Sequence, residues 1–142
     1  MEAARIGADG VRRAAIAPVY VHLRSAWLVG HDIGLIAELM RSLERDEAQL
    51  LSSVSLSKSR KVGDVGAAQM AESLPVSLTE LGLVGCGIGD SGGKAVLEWM
   101  RRTTRLDTLC IEGNQFSSNV TRDFKSSAPT CSTTMQRRPG DQ

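Results

Sequence analysis

Six consecutive residues, Gly87-Ile88-Gly89-Asp90-Ser91-Gly92, spell G-x-G-x-x-G. That spacing can do phosphate chemistry. Glycines without a Cβ let a pyrophosphate approach the backbone, and the N–H groups at the start of a helix receive its charge. A strand-like run, Leu81 to Val84, leads into the loop, and a helical pattern leads out of it. Glu112 follows Gly92 by 20 residues, where an acid could take a ribose hydroxyl. A Mg²⁺-phosphate loop does not fit. Gly93-Lys94 is followed by Ala95 rather than Ser or Thr, and Ile88 stands where the first glycine is required.

Other reactive side chains are sparse. His22 and His31 have no positional link to a serine or cysteine that would make a nucleophilic triad. His31 reads as a histidine of the core or its edge. The three cysteines, Cys86, Cys110 and Cys131, are odd in number and lack metal-ligand spacing. They predict free thiols in a reducing, cytoplasmic setting, with Cys110 a small strand residue. We therefore expect no catalytic residue, no metal and no cofactor.

The elements that carry the loop explain its glycines differently. Leu78, Leu81, Leu83, Cys86 and Ile88 follow L-x-x-L-x-L-x-x-C-x-I, and the block returns 28 positions later at Leu106, Leu109, Ile111, Asn114 and Phe116. An earlier copy falls at Leu23, Ala26, Leu28, His31 and Ile33, with LVGHDIG (28–34) matching LVGCGIG (83–89). A third unit uses Leu51, Val54, Leu56 and Ser59. The loop recurs with the leucines, as Gly63/Gly66 and Gly30/Gly34, whereas a cofactor loop occurs once. Only 50 residues follow Gly92, too few for the strand–helix units a doubly wound domain still needs.

Each unit predicts a short strand, a turn and a helix across the back. Leu35, Ile36, Leu39, Met40 and Leu43 recur at helical steps and are expected on one buried face. Gly66–Leu74 should bury Ala67, Met70, Ala71 and Leu74, and Pro75 stops it. The next helix should bury Ala95, Val96, Trp99 and Met100, and Val120 and Phe124 should close the last. The boundaries are a partial or degenerate N-terminal repeat over 1–22, four units over 23–124 starting near 23, 51, 78 and 106, and a disordered tail over 125–142. In the first segment Ile6-Gly7-x-x-Gly10 matches Ile88-Gly89-x-x-Gly92.

A period near 28, Asn or Cys at the ninth position and an I-G-D-x-G turn resemble the ribonuclease-inhibitor-like class of leucine-rich repeats. The turn is Ile88-Gly89-Asp90-Ser91-Gly92 here, and Val62-Gly63-Asp64-Val65-Gly66 one unit earlier. The resemblance spans about residues 6 to 124. It implies an α/β leucine-rich-repeat solenoid, a horseshoe segment with parallel strands on the concave face and helices on the convex face. It also implies a protein-interaction module. Arrays of the class serve as inhibitors, as sensor regions of nucleotide-binding immune receptors and as GTPase-activating proteins of Ran. They are usually longer, which suggests a fragment of a larger protein or a nonfunctional remnant of a longer array. The alternative is a truncated nucleotide- or S-adenosylmethionine-binding Rossmann-like enzyme using the loop at 85–92. LVGCGIG resembles the glycine-rich loop of S-adenosylmethionine-dependent methyltransferases, but Leu83 stands where that family places Asp or Glu.

Side chains alternate along a strand, so residues between the leucines should face a partner. These are Ser25, Trp27 and Val29; Ser53, Ser55 and Ser57; Glu80, Gly82 and Val84; and Thr108, Cys110 and Glu112. Trp27 is the expected anchor, because exposed Trp concentrates binding energy; packing on the N-terminal segment is its other reading. With 17 Lys+Arg against 16 Asp+Glu, the net charge of +1 gives no case for nucleic acid or an acidic membrane. No apolar run is long enough to span a bilayer, and 1–13 lacks a secretory apolar core. The expected partner is another protein.

Overall fold

The computed structural model describes residues 19–23 and 28–127, and the backbone of 132–134. Strands β1 (Val19–His22), β2 (Leu51–Ser55), β3 (Glu80–Gly82), β4 (Thr108–Cys110) and β5 (Ser132–Thr134) pair in chain order, each parallel to the next. Helices α1 (Gly30–Ser42), α2 (Arg45–Leu50), α3 (Gly63–Ser73), α4 (Asp90–Arg102) and α5 (Ser118–Ser127) connect them. Helix α1 packs on α3, α3 on α4, and α4 on α5. No helix among the described residues is long and apolar enough to cross a membrane.

The leucine spacing produces this order directly. Val54, Leu81 and Leu109 are register partners across β2, β3 and β4, 27 and 28 residues apart (54 to 81, 81 to 109), and all are buried. They meet Leu56, Leu83, Ile111 and the helices' apolar faces in one core. Ala67, Met70, Ala71 and Leu74 are buried as expected, as are Val96, Trp99, Met100, Val120 and Phe124; Ala95 is half-buried. Trp99 is fully buried, and its indole N–H donates to the Leu74 carbonyl at 3.2 Å. That bond satisfies the polar edge of an otherwise apolar side chain.

Hydrogen bonds between successive units lock the turns. Asn114 Oδ1 accepts from the amides of Cys86 (2.9 Å) and Ile88 (3.1 Å), while its Nδ2 donates to the carbonyls of Leu83 (2.7 Å) and Ile111 (3.0 Å). Cys86, at the same position one unit earlier, donates from Sγ to the Leu56 carbonyl at 3.1 Å. Burial pushes its thiol up to about 11, against a smaller downward pull from the backbone amides of Ser59 and Lys58. Asn114 and Cys86 thus both bond backbone of the preceding unit from the ninth position.

Three expectations need correction. The first described strand is Val19–His22, ahead of the expected block that begins at Leu23, and the Leu23 amide extends the pairing by a hydrogen bond to the Ser55 carbonyl. Its Val21 partners Val54, a spacing of 33 that accommodates the extra helix α2, so the LVGHDIG match instead marks the entry into α1. Helix α1 is also rotated from the expected face. Ile33, Ala37 and Met40 are buried, Ile36 and Leu43 are partly buried, and Leu35 and Leu39 are 52% and 59% exposed. Ile33 packs over Gly66 at the start of α3 in that orientation, Arg41 donates to Ser73 Oγ on α3 at 2.8 Å, and His31 is left exposed near the helix start. Finally, the stretch from 125 is not wholly a tail: α5 runs to Ser127, and 132–134 pairs with β4.

Candidate functional site

Helices cover the sheet face that carries Val54, Leu81 and Leu109. The other face holds a groove of about 450 Å³ lined by His22, Ser53, Ser55, Ser57, Lys58, Glu80, Gly82, Val84, Cys110 and Glu112. The alternation of strand side chains therefore brings Ser53, Ser55, Ser57, Glu80, Gly82, Val84, Cys110 and Glu112 together as anticipated. Thr108 shares that face of β4 but does not line the groove, and Val29 stands at the N-terminus of α1, away from it. Ser25 and Trp27 lie outside the described residues.

The serines are not the exposed contacts their strand positions suggested. Ser53 is 1% exposed, Ser55 8% and Ser57 3%. Small side chains between taller neighbours become a floor rather than a rim. His22 Nε2 lies 2.8 Å from Ser53 Oγ, which donates to Glu80 Oε1 at 2.8 Å. Because the hydroxyl gives its proton to the carboxylate, His22 Nε2 must donate to the hydroxyl oxygen. This chain runs across β1, β2 and β3. It differs from a nucleophilic triad, where the imidazole takes the serine proton. Gly82 completes the floor: a Cβ there would stand 2.8 Å from Ser55 Oγ and 3.1 Å from Ser57 Oγ. Ser57 Oγ accepts from Ser55 Oγ (3.2 Å) and from the Val84 amide (3.1 Å), so both hydroxyls are tied into the sheet.

Two lining residues escaped the sequence reading. His22 was hidden because the first strand was placed after it. Lys58 follows Ser57 at the upper end of the groove, and its backbone adopts φ 70. Its signal was positional: Lys58 stands 27 residues before Gly85, which stands 28 before Gly113, and both glycines also have positive φ.

The G-x-G-x-x-G loop opens α4 as expected, but its helix-start amides are engaged. Asp64 Oδ1, from the preceding unit, accepts from Gly89 N and from Gly92 N at 2.8 Å each. A carboxylate thus stands where the fingerprint would put a phosphate. The glycines answer to neighbouring backbone. A Cβ at Gly87 (φ 68) would come 2.5 Å from the Arg60 carbonyl oxygen, and one at Gly92 would come 2.9 Å from Asp64 Cα. Asp90 repeats the arrangement one unit on, accepting from the Ser117 amide at 2.7 Å. That bond and the Ser117 hydroxyl hold the Asp90 carboxyl below the usual carboxylate range, with a smaller contribution from Lys94. Glu112, which the alternative cofactor reading would set on a ribose, lines the groove on the sheet.

No protein-family profile and no curated protein sequence matches the chain. Solved structures do share its fold. Leiomodin-1 actin-binding site 2 (ABS2) is similar with a TM-score of 0.62 at 13% identity, over 83% of this chain and 71% of that one. The Chaetomium Mex67:Mtr2 subunits give 0.59 at 18% identity, over 84% and 83%.

Proposed function

We propose that this chain is a leucine-rich-repeat solenoid segment of the ribonuclease-inhibitor-like class, that it binds another protein on the open face of its sheet, and that it performs no catalysis. One observation carries this reading: residues from four successive parallel strands and the turns beyond them line a single groove. In solenoids such a strand face is the usual contact surface. The engagement of the Gly89 and Gly92 amides by Asp64 supports a structural role for the glycine-rich loop over a cofactor role. The similar folds include an actin-binding site and a named pair of subunits, both settings of protein–protein contact.

Photo-crosslinking tests the reading. A photoreactive residue placed at Val84, on the groove, should trap a discrete protein partner in cell extract. The same residue at Glu72, exposed on α3, should not. Equal trapping from both positions, or none from Val84, would defeat the proposal.

A further inference from the structure

Lys58 is the one described residue other than glycine with positive φ. Its amide donates to the Val84 carbonyl at 2.6 Å, and the Gly85 amide makes the equivalent bond to the Glu112 carbonyl at 3.0 Å. The two residues therefore do the same backbone work in successive turns. A side chain in that conformation costs about 1–2 kcal/mol that glycine does not. Backbone strain of this kind persists where the side chain has a use. The Lys58 stem runs toward the next turn, with Cδ 4.0 Å from a Cβ built on Gly85.

There it enters a second cleft of about 440 Å³, lined by Lys58, Arg60, Val84, Gln115 and the bare backbone of Gly85, Gly87 and Gly113. None of these residues is acidic, so Lys58 and Arg60 make the cleft basic, in contrast to the adjoining groove, which carries Glu80 and Glu112. Lys58 and Val84 also line the groove on the sheet, so the two cavities adjoin at these side chains.

We propose that this upper cleft receives an acidic side chain, Asp or Glu, of the protein segment that lies on the open face. The inference rests on the open-face reading above and adds the chemistry of the partner. A guanidinium takes a carboxylate through two parallel N–H bonds, and an ammonium adds a point charge. The cleft is far larger than one carboxylate and adjoins the groove at Lys58 and Val84, which favours a polypeptide over a small free anion.

The test uses fluorescence anisotropy with labelled hexaglutamate, hexaglutamine and hexalysine peptides on the full chain. Hexaglutamate should bind, more weakly as salt rises, and the other two should not. Lys58→Gly should raise the melting temperature and weaken hexaglutamate binding roughly tenfold. Lys58→Gln should weaken binding equally without the gain in stability, and Arg60→Gln should also weaken it. Lys125→Gln, on α5, should leave it unchanged. Lys58 variants that bind normally would overturn the acidic contact, as would a Lys125→Gln loss of the same size. If crosslinking from Val84 persists in that case, the open-face reading stands and only the acidic contact falls. Loss of Val84 crosslinking in the unaltered chain removes both.

Discussion

Position 58 sets a side chain against a backbone that would prefer none. Lys58→Gly should therefore stabilise the fold by about 1 kcal/mol, read as a higher urea midpoint at unchanged slope. Asn114 works in the opposite sense, since one amide group serves four backbone atoms of two turns. Asn114→Ala would leave the amides of Cys86 and Ile88 without their acceptor, and urea unfolding should report a loss of about 2–4 kcal/mol. Cys86 carries a pH dependence. Its thiol titrates near 11 in the folded chain and near the ordinary thiol value of roughly 8.5 when unfolded. A raised value favours the folded state below the unfolded one, so that contribution holds at neutral pH and fades between about pH 9 and 11. Urea midpoints measured across that window should fall, and Cys86→Ser should flatten the part due to this thiol. At this scale the sequence was legible where a residue type marks a fixed position of the period. Asn114 was recognisable by type and position. Asp64 was recognisable only as part of the recurring turn, and its bonds to Gly89 and Gly92 of the next unit were not.

Among the elements, α4 is the most strongly determined. It buries Val96, Leu97, Trp99 and Met100 while presenting Lys94, Glu98, Arg101 and Arg102 to solvent. Trp99→Ala should cost about 3–5 kcal/mol by chemical denaturation. The turn before α4 tolerates no side chain at Gly87, because positive φ and the Arg60 carbonyl both oppose one. Gly87→Ala should lower stability by about 2 kcal/mol or more, measured in the same way. The period-28 blocks placed β2, β3, β4 and the helices behind them because leucine spacing and helix face agree there. The first unit was misplaced because LVGHDIG copies the exit from a strand without being one. Its helix presented two adjacent apolar faces, and the sequence could not say which met the sheet. That choice depends on tertiary packing, in which Ile33 meets the bare backbone of Gly66 on α3.

On the scale of the whole molecule, the glycines that in isolation spell a cofactor motif meet the preceding turn, Gly87 at the Arg60 carbonyl and Gly89 and Gly92 at Asp64. Calorimetric titration with NAD and with S-adenosylmethionine at millimolar ligand should give no saturable heat. Saturable binding abolished by a fold-preserving change at Gly89 would reverse the assignment. The groove was legible as a set of alternating positions, but its depth was not. That the serines form a floor follows from His22 and Glu80 closing over Ser53 and from the missing side chain at Gly82. The straps between turns also run in both directions along the chain. Asp64 reaches forward to Gly89 and Gly92, while Asn114 reaches back to Cys86 and Ile88. During synthesis from the N-terminus, the forward strap can close as soon as the glycines emerge. The backward one must wait for residue 114. A nascent chain halted at 113 would hold one half of this turn and leave the other half to water. Amide exchange on such a chain should be slow at Gly89 and Gly92 and fast at Cys86 and Ile88.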